Sequence, residues 1–258
     1  MTPYLQRLKD LFEQQADPVQ AVPMKAYMRN QFVFLGIKGP AQKALFKQFV
    51  AEQGLPELDQ LETIVRSLWT WPEREYQYIA LTCLDKRQKQ LTPAVVPLLE
   101  HLITTKSWWD TVDAIASHKV GKLLKQYPDH RDAVIDAWRH SDDFWLRRTT
   151  LLFQLGYKAN TDAALLFSLV DQNKASQEFF IQKAIGWALR EYSKVYDLPP
   201  MRLTEADAGD ARSARVADSD RDCPWAESRR PPIHSSYPAG ASDPEPVRVT
   251  LCRGQQDG

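Results

Sequence analysis

Apolar positions recur along this chain at three- and four-residue steps, the spacing that gathers them on one face of an α-helix. Near the start, Leu5, Leu8, Leu11 and Phe12 share such a face, and Thr2-Pro3 supplies a capping residue followed by a first-turn proline. Thr92-Pro93 opens another segment in the same way, ahead of Val95, Val96, Leu98 and Leu99. Ser107-Trp108-Trp109-Asp110 has the spacing of a capping box. The clusters Gly36–Pro40 and Tyr127–His130 have turn composition. No stretch alternates apolar and polar residues for long enough to make a half-buried strand. The pattern predicts an all-α fold with about eleven helices between residues 3 and 194.

The helices repeat. Trp71, Trp108 and Trp145 are spaced by 37 and 37 residues, and Phe180 follows after 35. Each aromatic stands at the head of an apolar helix (WPEREYQYIALTCL, WWDTVDAIASHKVG, WLRRTTLLFQLG, FIQKAIGWALRE). Each of these is preceded by another, such as LETIVRSLW or AVIDAWRH. A two-helix unit recurring at this period predicts a HEAT-like helical-repeat solenoid, an α-α superhelix whose second helices line a concave face.

The periodicity stops after Lys194. Residues 197–258 hold 8 of the 17 prolines and 2 of the 3 cysteines, and contain no Lys, Asn or Phe. Two readings stay open for this tail: a disordered extension, or translation of a GC-rich coding sequence in a shifted frame. Either way it is expected to lie outside the core, which gives a repeat domain over 1–196 and a tail over 197–258.

The tail also changes the meaning of the charge. The whole chain is neutral, with 33 Lys+Arg and 33 Asp+Glu, which argues against a nucleic-acid partner. The tail alone carries 8 Arg against 11 acids, so the body is mildly basic, with 25 Lys+Arg and 22 acids. That balance is compatible with a local basic stripe. Cys83, Cys223 and Cys252 are odd in number and lack CxxC spacing, so no disulfide framework, metal site or cofactor is expected, and a reducing cytoplasm is the default. The amphipathic start MTPYLQRLKDLFEQQ bears acids and reads as a folded helix rather than a signal peptide. No run approaches the 18 or so apolar residues of a membrane span.

Four stretches could carry chemistry. In KSWWDTVD, Trp109 and Asp113 are four residues apart and share a helical face, while Trp108 points about 100° away and suits the core. An indole face and a carboxylate together can manage a cation, although a solvated acid beside a core aromatic accounts for the same spacing. In WLRR, Arg147 and Arg148 fall in a first helical turn, where the macrodipole favours anions. Either Asp142 and Asp143 compensate them, or Arg148 faces outward to take a phosphate. In EFFIQKAIGWALREY, Gly186 within a helix implies close packing or ligand approach. A strict 37-residue period places Trp187 two units after Asp113, whereas the anchor at Phe180 implies a two-residue slip. The mixture of bases and aromatics in KAYMRNQFVFLGIK, residues 25–38, suits nucleic acid and equally suits a helix end packed on its neighbour.

The ordered set KAYMRNQFVFLGIK, REYQYIA, KSWWDTVD, WLRRTTLLFQLGYK and EFFIQKAIGWALREYSK resembles the AlkD-like DNA alkylation repair proteins over residues 1–194. The resemblance implies a solenoid cradling duplex DNA that contains alkylated bases. It also implies hydrolysis of the N-glycosidic bond of 3-methyladenine- and 7-methylguanine-type lesions by a monomer. By motif position Asp113 becomes the catalytic carboxylate, Trp109 and Trp187 frame the lesion's deoxyribose, and Arg148 contacts the DNA backbone. Tyr27, Lys38, Lys183 and Arg190 extend the DNA-binding set. The resemblance also implies a further helical segment after REYSK, which the composition of residues 197–258 is not expected to supply.

The chemistry fits such a set. A cationic alkylpurine leaves without a general acid, so one carboxylate facing an oxocarbenium-like sugar replaces the acid pair of ordinary glycosidases. The rival reading is a non-catalytic HEAT-repeat module that binds a DNA structure or a protein. The joint presence of Trp109, Asp113 and Trp187 favours the enzyme.

Overall fold

The computed structural model describes residues 2–195, and the tail expected over 197–258 lies outside the described residues. Among the described residues the fold is all helical. The elements are α1 (Pro3–Glu13), α2 (Pro18–Tyr27), α3 (Gly39–Gln53), α4 (Leu58–Thr70), α5 (Arg74–Arg87), α6 (Val96–Thr104), α7 (Trp109–Ile115), α8 (Gly121–Gln126), α9 (Arg131–Arg139), α10 (Phe144–Leu152), α11 (Ala163–Asn173) and α12 (Phe179–Ser193). A π-helical segment, Ala116–Val120, joins α7 to α8 without a break, so these twelve elements form eleven rods.

The rods pair as the period predicts: α4 with α5, α6 with α7, α9 with α10, and α11 with α12. The second members also pack on one another in chain order, α5 on α7, α7 on α10 and α10 on α12, which makes a helical-repeat solenoid. The aromatic anchors account for this register. Trp108 packs against Trp145 with ring centroids 6.2 Å apart and against Phe180 at 5.2 Å, and Trp145 meets Phe180 at 4.9 Å. The last three units thus each contribute one large ring to a shared seam, whereas Trp71 packs on Tyr76 of its own unit; contacts of this geometry add about 0.5–1.5 kcal/mol each beyond area burial.

Some local expectations hold and others do not. Thr2 caps α1 by accepting the Leu5 amide at 3.3 Å. Ser107 does not cap α7: its hydroxyl turns back to the Ile103 carbonyl at 2.6 Å, and the helix starts at Trp109 with no side-chain cap. Gly186 is exposed, and a Cβ there would meet nothing within 4 Å, so it does not mark a close approach. A close approach is made at Gly121, at the join between the π segment and α8. A Cβ there would sit 2.1 Å from the Phe153 carbonyl oxygen.

The segment between α2 and α3 is held by one side chain. Glu75, buried in the first turn of α5, accepts the amides of Leu35 at 3.0 Å, Gly36 at 2.9 Å and Ile37 at 3.1 Å. Gly36 is required at φ +92°, with the Asp17 carbonyl where a side chain would go. This stitch fixes the end of α2, and with it Tyr27, relative to α5.

Two stability outcomes are expected. Glu75→Ala strands three amides without their acceptor and should cost about 3 kcal/mol or more in urea unfolding. Gly121→Ala pushes α8 off α10 and should cost about 1–3 kcal/mol, read as a lowered thermal midpoint with the helical content retained.

Candidate active site on helix α7

Helix α7 is seven residues long, and three of them carry the polar chemistry of the region. Asp110 and Asp113 lie one turn apart, and Trp109 precedes Asp113 by one turn. The two acids are held from opposite sides. Arg74, in the first turn of α5, grips Asp110 with Nε at 2.9 Å and Nη2 at 2.7 Å. Arg148, in the first half of α10, grips Asp113 with Nε at 2.8 Å and Nη2 at 2.9 Å. Both are two-point guanidinium–carboxylate forks, the strongest side-chain pairing available to a carboxylate.

The environments of the two forks differ. The Arg74–Asp110 pair is fully buried. Its remaining valences are satisfied by Thr111 Oγ1 at 2.9 Å and the Lys106 carbonyl at 2.9 Å on the arginine, and by the Tyr78 hydroxyl at 2.7 Å on the acid. The Phe32 ring lies under the guanidinium, with its centroid 3.7 Å away. Burial and the neighbouring Asp110 push the Tyr78 phenol well above its ordinary range. Asp113 keeps some access, with 15% of its side chain exposed. Burial raises its carboxyl pKa above the ordinary aspartate value, Arg148 opposes that shift through its charge and hydrogen bonds, and Asp110 adds repulsion.

Arg148 does not stand outward as its sequence context allowed. It is 4% exposed, its fork is engaged by Asp113, and its third nitrogen donates to the Phe180 carbonyl at the start of α12. The physical reason is burial beneath the next unit: a guanidinium there needs a counter-charge, and Asp113 is the one in reach. Asp142 and Asp143 do not neutralise it. Asp143 caps α10 through the Trp145 amide, and the Asp142 carbonyl accepts from Arg147.

Trp109 is half-buried, and Tyr27 meets it edge-on with ring centroids 5.9 Å apart. Tyr27 comes from the end of α2, more than eighty residues earlier in the chain, and is 47% exposed. Trp187 is half-buried on α12, two turns after Phe180 and so on nearly the same stripe. Lys183, one turn before it, lies 5.4 Å over the Phe179 ring, and Arg190 is exposed one turn after it. Lys38 is exposed at the residue before α3. No hydrogen bond or ion pair joins Asp113 to Lys38, Lys183 or Arg190. The structure therefore brings together Asp113 with Arg148, and Trp109 with Tyr27, on and around one short helix.

Sequence reasoning missed Arg74, Asp110, Tyr78 and Phe32. A signal for the first was present: Arg74 and Arg148 are 74 residues apart, two periods of 37, each three residues after a repeat tryptophan. The same position in the intervening unit is Thr111, which accepts from Arg74. Among the described residues no cluster of His, Cys, Asp and Glu could hold a metal ion.

The sequence pattern of the family described as DNA alkylation repair enzyme matches residues 8–198. Among solved structures, the chain is similar to a "predicted DNA alkylation repair enzyme from Enterococcus faecalis". The two are 34% identical with a TM-score of 0.66, and the match covers 70% of this chain and 85% of that one. No curated protein matches. With the period, the paired rods and the motif stretches all falling inside the matched region, the chain belongs to the DNA alkylation repair enzyme family.

Proposed function

We propose that this protein is a DNA glycosylase that hydrolyses the N-glycosidic bond of cationic alkylated purines, of the 3-methyladenine and 7-methylguanine type, in duplex DNA. It would open base excision repair in the cytoplasm as a monomer without a cofactor. The observation that carries the reading is Asp113: a carboxylate with partial access, one turn from a half-buried indole, held in a fixed orientation by a buried arginine. Membership of an alkylation repair family supplies the DNA partner. No described helix is long and apolar enough to cross a membrane.

The chemistry follows from the charges. An N-alkylated purine already carries positive charge and departs as a neutral base, so no proton donor is required. What the reaction needs is stabilisation of the cationic sugar left behind and orientation of a water molecule. Asp113 supplies a full negative charge for both purposes. Trp109, in T-shaped contact with Tyr27, offers an aromatic surface to the sugar cation, and Trp187 is assigned the same role from α12. Arg148 acts through Asp113: it fixes both carboxylate oxygens and favours the ionised form against the effect of burial. Tyr27, Lys38, Lys183 and Arg190 are assigned to the DNA around the lesion, and Arg148 is moved from the phosphate to the carboxylate.

Asp113→Asn keeps the shape and removes the charge. In single-turnover assays with saturating protein, release of 7-methylguanine should slow by about 10²-fold or more, with duplex affinity little changed. Excision at the parental rate defeats the carboxylate assignment and leaves a non-catalytic DNA-binding module as the better reading. A thermal melt accompanies the assay, because the variant leaves Arg148 buried without its anion.

The pH profile tests Arg148. Protonating Asp113 removes the charge, so enzymatic excision should fall as pH falls through the Asp113 pKa. Burial places that limb above the ordinary aspartate value of about 3.9. Arg148→Gln removes the opposing cation and should move the limb to higher pH. A profile with no acid limb, or a limb that Arg148→Gln leaves in place, overturns the role.

A further inference from the structure

The Tyr27–Trp109 contact joins two segments that lie far apart in the chain, and one side chain touches the neighbourhood of both. Tyr27 ends α2 and Trp109 begins α7. Arg74, the first residue of α5, is 0% exposed, so it meets no ligand itself and can act on the site only through what it holds.

Toward α7, Arg74 uses the edge of its guanidinium. Nε and Nη2 grip Asp110, Nη2 also donates to Thr111 Oγ1, and Nη1 donates to the Lys106 carbonyl, three residues before the helix begins. Toward the N-terminal segment it uses the face of the same group, with Cζ 3.7 Å from the centroid of the Phe32 ring. Its backbone amide donates to the Val33 carbonyl at 2.9 Å, and Glu73 beside it pairs with Val33 in a parallel bridge. A flat guanidinium can direct hydrogen bonds from its rim and stack on a ring at once, which a lysine ammonium cannot.

The connection from Phe32 back to Tyr27 is short and closed by hydrogen bonds. The Asn30 amide donates to the Lys25 carbonyl at 2.9 Å, the Arg29 amide to Ala26 at 3.0 Å and the Gln31 amide to Met28 at 3.0 Å. Arg29 and Asn30 hold φ of +54° and +59°, the left-handed conformation that closes a helix end and that non-glycine residues adopt at a cost. No residue of α2 is fully buried, whereas Met28, just after it, is. Tyr27 therefore takes its place from the turn that leads to Phe32. A counter-charge for Asp110 accounts for the fork. It does not require the same guanidinium to carry the Phe32 ring.

We propose that Arg74 is a positioning residue for the candidate site: its edge sets Trp109, its face sets Tyr27 through Phe32, and the two rings are thereby presented as one unit. The consequence for catalysis rests on the functional reading above, whereas the coupling of the two rings does not.

The test uses the full chain labelled with 5-fluorotryptophan and followed by fluorine NMR. Of its eight tryptophan signals, that of Trp109 is the one lost in Trp109→Phe, and Tyr27→Ala gives its position without the tyrosine ring. Arg74→Lys keeps a cation for Asp110 and removes both the fork and the flat face. It should move the Trp109 signal toward its Tyr27→Ala position. In the same variant, single-turnover release of 7-methylguanine should slow by about 10- to 10²-fold, the scale of a small misplacement at a reacting centre. The acid limb of the pH profile should stay where it is, because the charge is kept. Phe32→Leu leaves the fork intact and should move the same signal in the same direction. Thermal melts establish that the variants fold, and if Arg74→Lys does not, Phe32→Leu decides. An unmoved signal in either folded variant reduces Arg74 to a counter-charge and overturns the proposal, as does a parental excision rate in Arg74→Lys. A parent chain that releases no methylated base defeats the glycosylase reading, and the fluorine shifts then decide the coupling on their own.

Discussion

The arrangement around α7 depends on one constraint: two carboxylates one turn apart cannot be placed between packed helices unless each has its own cation. Arg74 from the preceding unit and Arg148 from a following one meet that requirement from opposite sides. Removing either arginine leaves an anion stranded in a poorly solvated place, an error that costs about 3–5 kcal/mol in comparable buried pairs. The forks therefore fix both the position of α7 along the stack and its rotation about its own axis. Trp109 and Asp113 take their exposure from that setting.

The two forks are chemically alike and do different work. The Asp110 fork is closed by a tyrosine, a threonine and a backbone carbonyl, and it stacks on Phe32. Nothing can approach that carboxylate. The Asp113 fork is left partly open, so its anion is available to a visitor while its geometry stays fixed. A rigid but accessible charge needs no reorganisation when a cation develops beside it, which is the condition for strong electrostatic catalysis.

Much of the architecture was legible in the sequence because it depends on period. The recurrence of Trp71, Trp108 and Trp145 reported the pairing of rods and their order, since a ring buried at the same place in each unit must recur at the unit length. The shared helical face of Trp109 and Asp113 was legible from their four-residue spacing, whereas the period left the register of Trp187 open. What was not legible depends on contacts between units. Arg148 read as an outward base because its partner is 35 residues away in sequence and becomes a neighbour only after α7 and α10 are stacked. Tyr27 meets Trp109 across more than eighty residues of sequence, and no local pattern reports that contact or the three-amide stitch at Glu75. Gly186 and Gly121 are alike as letters, and only the approach of Phe153 distinguishes them.

The Asp113–Arg148 pair has a consequence for how such a site can be built or moved. Its acid and its base belong to different repeat units, and the arginine is anchored in turn by the first residues of α12. A single unit excised from the stack would carry the carboxylate without its counter-charge, or the reverse. The site is a property of the seam rather than of any module. Inserting a unit between the rod of α7 and the α9–α10 pair would leave both residues intact in sequence and abolish their meeting, so a change in repeat number here is a change of chemistry and not only of length.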